Sequence, residues 1–324
     1  MSNKMKYGQI QYVDKPISRI VFGTGREKMI NNEDEFELLD EAFDAGINTF
    51  DSAACYGLAE ASLGRWIKAR GLRDKVVILT KGANQNSFRK RTNVFDIQSD
   101  IEDSFARLQS DYIDIYLLHR DDPNVPVGPI VELLNQYHKE GRIGAFGGSN
   151  WTMERTMQAN AYAKEHDLVP FSVCSPSFSL AECLGDPWGG SVTLSGPQNE
   201  QWRTWIKDIK MPVFPYSSLA RGFLSGQLKS TQADIAHDII GPGADEYGFP
   251  INYERLRRAE LLAEQKGIKV SQVAYAWLMN QDLDIYGITR AGSRHHIDET
   301  IASLYIELTD VEQKWLNCEL DVLE

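Results

Sequence analysis

The sequence predicts an α/β fold, a (β/α)8 TIM barrel with an N-terminal β-hairpin and an extra C-terminal helix. Three observations predict it. Short apolar runs rich in β-branched and aromatic residues alternate with amphipathic helical stretches along nearly the whole chain. There are eight such strand–helix units, most of them 25 to 40 residues apart, and repeated right-handed parallel crossovers of that kind close into a barrel of about 250 residues. No GxGxxG follows the first strand, whose exit reads Phe22-Gly23-Thr24-Gly25-Arg26, which disfavours the runner-up, a doubly wound sheet. No shift in composition marks a linker, so residues 1–324 are expected to form one domain.

The elements follow in order. Lys6–Pro16 reads as the leading hairpin, and Arg19–Phe22 as the first barrel strand. A helix is expected over Glu33–Ala45, with Asn32 as N-cap and Gly46 as stop; Phe36, Leu39, Ala42 and Phe43 make its buried face. Strand Thr49–Ser52 leads to helix Glu60–Ala69, closed by Gly71. Strand Val76–Thr80 leads to helix Val94–Leu108, and strand Ile113–Leu118 to helix Val131–Glu140, closed by Gly141. Next come strand Ile143–Phe146, helix Met153–His166, strand Phe171–Cys174, helix Glu200–Ile209 and strand Pro212–Tyr216. A polar insertion, Ser225–Asn252, precedes helical stretches Tyr253–Lys266 and Ser271–Asn280. Strand Ile285–Thr289, helix Ile297–Leu304 and a tail helix over Asp310–Cys318 complete the chain.

Charge narrows the partners. With 34 basic and 46 acidic residues the net charge is −12, which argues against nucleic acid or an anionic membrane. The four cysteines, Cys55, Cys174, Cys183 and Cys318, form no CxxC pair, so neither a disulfide scaffold nor a metal knuckle is signalled. No run approaches membrane-spanning length and the N-terminus lacks an apolar core, so a cytoplasmic protein without bound metal is expected.

Asp51, Lys81 and His119 each end or directly follow one of the strand runs, and Tyr56 lies in the loop leaving the first of these. In a parallel barrel all four gather at the C-terminal face, where such folds place their sites. Each residue alone is commonly structural; the combination at successive strand ends is not. A phenol titrates near 10 and donates protons poorly at neutral pH. An ammonium about 4 Å away, at an effective dielectric near 20, favours phenolate by roughly 4 kcal/mol, about 3 pK units. On this reading Lys81 brings Tyr56 towards neutrality, Asp51 keeps Lys81 charged, and His119 polarises a substrate carbonyl. Lys81 alone also fits a Schiff-base barrel of the aldolase kind.

The chain resembles the aldo-keto reductase superfamily. The carrying stretches are Gly46–Ala53 with Tyr56-Gly57, Glu60 with Leu63-Gly64, Ser104–Leu108, Asp111–Asp114, Leu117-Leu118-His119, Gly147–Asn150 and Tyr216–Gly222, in family order and at family spacing. The resemblance implies a tetrad of Asp51, Tyr56, Lys81 and His119 and metal-free reduction of a small-molecule aldehyde or ketone. It further implies a nicotinamide cofactor gripped by Ser149 and Asn150, stacked on Tyr216 and lying along Ser217, Leu219, Arg221 and Gly222, with Thr24 and Asp51 beside it. Ser175 stands where the family has a glutamine. Arg290 stands where a lysine commonly binds the 2′-phosphate, with Ser293, Arg294, His296 and Thr300 (the last in place of an asparagine) nearby, so NADP(H) is expected over NAD(H). Arg26, Met29, Trp151, Trp188 and the insertion are candidate substrate walls, with Tyr56 and His119 at the reacting centre; Arg26 hints at an anionic substrate. The alternative the resemblance leaves open is a cofactor-binding regulatory subunit with little turnover, as in potassium-channel β-subunits.

Overall fold

A computed structural model describes residues 4–186 and 188–323. Two short antiparallel strands, Tyr7–Gly8 (β1) and Ile17–Ser18 (β2), form the leading hairpin. Behind it run seven parallel strands: Ile20–Gly23 (β3), Thr49–Asp51 (β4), Val77–Gly82 (β5), Ile113–Leu118 (β6), Ile143–Ser149 (β7), Val173–Ser175 (β8) and Gly287–Thr289 (β9). They are hydrogen-bonded in the order β8-β7-β6-β5-β4-β3-β9.

The gap between β8 and β9 is closed by the segment predicted as strand Pro212–Tyr216. It makes no regular ladder, because Pro212 and Pro215 have no N–H to donate. Single parallel bridges join Val213 to Cys174 on one side and to Ile285 on the other. Phe214 N donates to Cys174 O at 2.8 Å and Tyr286 N to Val213 O at 2.9 Å. The result is the expected (β/α)8 barrel.

Period-two alternation sorts the strand residues between two cores. Val77, Leu79, Ile115, Leu117, Ala145 and Val173 fill the barrel interior, while Ile78, Tyr116, Leu118 and Phe146 pack outward against the helices. Ile10, Val13 and Ile17 from the hairpin join the interior cluster, so the hairpin plugs the N-terminal end. The same alternation continued to the strand ends turns Lys81 and Ser149 inward, above Leu79 and Ala145.

Several helix limits differ from the sequence reading. The first long helix is Phe36–Asp44, preceded by a single turn, Glu27–Ile30. Asn32 is not its cap; it sits between the two at a φ of 67°, a left-handed position that asparagine tolerates. Helices begin earlier than expected at Val127–Lys139, Pro250–Lys266 and Arg294–Ser303. The insertion carries the short helices Ala236–Ile240 and Gly243–Tyr247. Among the described residues no helix is long and apolar enough to cross a membrane.

Candidate active site

At the C-terminal face a cleft of about 1950 Å³ runs from Asp51, Tyr56, Lys81 and His119, past Ser149, Asn150 and Tyr216, to Arg290, His296 and Thr300. At its head Lys81 and Asp51 are both buried and form an ion pair. Lys81 Nζ also donates to Ser52 O at 2.9 Å. Thr24 fixes the end of β4 from the other side, its N–H and hydroxyl both donating to the Asp51 carbonyl at 2.8 and 2.9 Å.

Tyr56 lies over this pair, with its ring centroid 5.4 Å from Lys81 Nζ. The His119 ring meets it edge-on at 5.9 Å. Gly25 lies against the other side of the phenol, where a Cβ would come within 3.2 Å of Tyr56 Cε2, so only glycine lets the ring settle there without displacement. The tetrad expected from the sequence is therefore brought together.

Its electrostatics differ from that expectation. Burial and then the Asp51 carboxylate hold the Tyr56 phenol well above its ordinary value, so it is not drawn towards neutrality. Burial also raises Asp51, opposed by Lys81. Burial, with the Lys81 and Arg120 cations, holds His119 well below the usual imidazole range, so the ring is neutral. Cys55 Sγ lies 3.4 Å from His119 Nδ1, and burial pushes that thiol up to about 11.

β7 and β8 supply the next layer. Ser149 is paired in register with Ser175, and its hydroxyl donates to Ser175 O at 2.8 Å. Asn150 takes a φ of 58°; its Nδ2 donates to His119 O at 3.1 Å, and its Oδ1 accepts from Tyr216 OH at 2.6 Å and Val192 N at 3.1 Å. Beyond Tyr216, left-handed backbone at Ser217, Ala220, Arg221 and Gly222 makes the kind of turn whose amides form anion-binding concavities.

Other expected site residues lie elsewhere. The Arg26 guanidinium, expected at the substrate wall, is engaged by the protein instead: Nε holds Glu35 at 2.7 Å and NH1 donates to Ala291 O at 3.0 Å. Trp151 and Met29 are core residues, 2% and 0% exposed; Trp151 Nε1 donates to Arg120 O at 3.1 Å and its ring packs on Phe171. Ser175 and Thr24 are buried behind the wall rather than in it. Ser293 caps the last barrel helix through His296 N. Arg294 turns to the opposite side, paired with Asp298 at 2.9 Å and lining a small hollow beside Tyr7 and Asp44. Arg221 does line the cleft, but its guanidinium is held by the buried Glu246 of the insertion and lies 4.8 Å over the Trp188 ring. Trp188 faces the cleft as expected.

Residues the sequence reading missed also line this cleft, among them Arg120, Asn84, Gln85, Lys229, Lys269 and Glu299. Arg120 directly follows His119 at the end of β6, an adjacency that could have found it.

The chain is an NAD(P)H-dependent oxidoreductase of the kind that reduces carbonyl groups. The chain belongs to the aldo/keto reductase family, whose description it matches over residues 19–317. It is 28% identical to aldo-keto reductase YhdN of Bacillus subtilis, across 91% of this chain and 88% of that one. It is 26% identical to aldo-keto reductase yakc [NADP(+)] of Schizosaccharomyces pombe, across 86% of this chain and 79% of that one. The fold is shared with glycerol dehydrogenase AKR11B4 of Gluconobacter oxydans, with a TM-score of 0.76 at 22% identity, covering 96% of this chain and 94% of the other.

Proposed function

We propose that this protein reduces an aldehyde or ketone to the alcohol with NADPH, Tyr56 giving up the proton. The observation that carries the reading is the buried Lys81–Asp51 pair beneath the Tyr56 ring, with neutral His119 on its edge.

The cleft suits a dinucleotide. It is long enough to reach from the tetrad to the last barrel helix, and at its head the Ser175 hydroxyl is buried without a hydrogen-bond partner, behind the Ser149 and Asn150 groups that would hold a carboxamide. Tyr216 would face the nicotinamide, and Ser217, Leu219, Arg221 and Gly222 the pyrophosphate. Arg290 is exposed, and its one hydrogen bond among the described residues runs to Gly25 O at 3.2 Å, leaving donors for a 2′-phosphate. The fission-yeast relative's printed name agrees with that preference. When bound, the nicotinamide supplies the hydride.

The chain's own groups then handle the oxygen. His119 donates to the carbonyl, fixing its direction and drawing electron density to oxygen. Tyr56 keeps its proton at neutral pH and releases it only to the far more basic alkoxide. Lys81, 5.4 Å from the ring centroid, opposes the repulsion of Asp51 for the phenolate as it forms, and Asp51 holds Lys81 in place.

The test is a spectrophotometric panel of aldehydes and ketones with each reduced cofactor, beside fluorescence titration of both. Tighter binding of NADPH than NADH, lost in Arg290→Ala, and steady oxidation of NADPH are expected. Equal binding of the two would refute the cofactor assignment, and cofactor binding without turnover on any carbonyl would refute the reductase.

A further inference from the structure

We propose that Arg120 is a recognition group for a carboxylate on the carbonyl substrate, so that the enzyme's substrates are oxo acids in the broad sense: aldehydes or ketones that also carry an anionic carboxylate. The inference rests on the reductase reading above and names its substrate class.

Arg120 is 6% exposed, yet among the described residues it forms no ion pair. Its side chain makes one hydrogen bond, from NH1 to Gly190 O at 3.1 Å. Its Nε is buried with no hydrogen-bond partner among the described residues. A guanidinium has five donors, so most of this one's hydrogen-bonding capacity is unused by the protein. The neighbouring arginine in the fold, Arg155, shows the contrast: it grips Asp121 through two nitrogens at 2.7 and 2.9 Å. The acid on the loop facing Arg120 is Asp186, which accepts from the amides of Gly190 and Ser191 at 2.6 and 3.0 Å and lies beyond ion-pair reach. A cation taken out of water without a matched anion is costly. Such a group is retained where a ligand completes it.

Its position matches the substrate rather than the cofactor's phosphates. Arg120 lines the same cleft as Tyr56, His119, Gln85 and Trp188. Its charge acts on the His119 imidazole, the Tyr56 and Tyr216 phenols and the Cys55 thiol together, which places it around the reacting carbonyl. The Gln85 amide donates to Trp188 O at 3.0 Å, tying the two wall segments on either side of it. Planar guanidinium forks pair bidentately with planar carboxylates, so this class follows from the donor geometry. The anionic preference that the sequence reading attached to Arg26 thus moves to Arg120.

The test uses the NADPH-loaded enzyme with ω-formyl carboxylates of increasing chain length, each against its own methyl ester. For the best length, kcat/KM is expected to favour the acid at least about tenfold, chiefly through KM, the order expected for one charge-assisted pair. In Arg120→Met the ratio is expected to collapse to within about threefold, and Arg120→Lys to retain part of it. A parallel titration of benzoate into the complex with oxidised cofactor reads the same site without turnover, and its affinity is expected to fall at least about tenfold in Arg120→Met. A wild-type acid-to-ester ratio near one, or a preference that survives in Arg120→Met, would overturn the proposal while leaving the reductase intact. Arg120-dependent benzoate binding with no aldehyde reduced would sink the reductase reading and keep the anion site. Should Arg120→Met fail to fold, Arg120→Gln takes its place, and a wild-type ratio near one overturns the proposal by itself.

Discussion

Replacing Lys81 by methionine separates what the buried pair does for folding from what it does for chemistry. The ammonium sits 5.4 Å from the Tyr56 ring centroid, so at an effective dielectric near 20 it favours developing phenolate by about 3 kcal/mol. Asp51 beside it cancels part of that, leaving a fall in kcat of about ten- to a hundredfold. Stability suffers independently. Lys81 and Asp51 are 2% and 4% exposed, and removing one partner of a buried pair costs about 3 to 5 kcal/mol. With about 2.1 cal/mol/K of unfolding entropy per residue over 324 residues, Tm should fall by about 4 to 7 °C. Burial already raises the Asp51 carboxyl against the pull of Lys81, so without the ammonium it takes up a proton, which limits the loss. The double variant Asp51→Asn/Lys81→Met, with no buried charge, should therefore regain much of the Tm and none of the kcat. Steady-state oxidation of NADPH and thermal melts read the two effects. A folded Lys81→Met enzyme within about threefold of the parent kcat, or a double variant that regains turnover, would refute the role given to this cation.

Three further outcomes are expected. His119 is held below its ordinary value, so as pH falls past about 6.5 the unfolded chain binds a proton that the folded one does not, and stability declines by up to about 1.4 kcal/mol per pH unit; in urea titrations His119→Gln should flatten that slope, and an identical slope would show that His119 is not depressed. A Cβ at Gly147 would meet Val173 O at 1.9 Å, so Gly147→Ala should cost about 3 kcal/mol or more and, by displacing the Ser149–Ser175 register, weaken cofactor binding; an unchanged cofactor titration would detach these strands from the cofactor. Cys55 is pushed up to about 11 from a usual thiol value of 9.0, so iodoacetamide should modify it at neutral pH about a hundredfold more slowly than a free thiol, as mass spectrometry would show.

The barrel was legible because period-two and helical patterns alternate with little interruption, and because glycine stops such as Gly71 and Gly141 lie where left-handed helix ends were needed. The tetrad was legible for a related reason: strand ends in a parallel barrel share one face, so order along the chain becomes proximity. What failed depends on contacts that order does not encode. Arg26 looked like a free cation until the fold brought Glu35 and Ala291 against it. Trp151 looked like a wall until Phe171 packed against it. Arg294 lies within two residues of Ser293 and His296, but a helix face, not sequence distance, decides which of these meets the cleft. The lowered Tyr56 value failed because it left out the burial of the phenol and the repulsion that Asp51, there only to keep Lys81 charged, exerts on a phenolate. Arg120 was passed over because the run that ends in His119 drew attention to its last residue only.

The most direct test of the proton-donor role is Tyr56→Phe, which removes one oxygen and leaves the ring over Lys81. With cofactor binding verified by fluorescence, single-turnover reduction should slow by about a hundredfold or more, the range of a general acid. A Tyr56→Phe enzyme that binds cofactor and turns over at the parent rate would show that the proton comes from elsewhere.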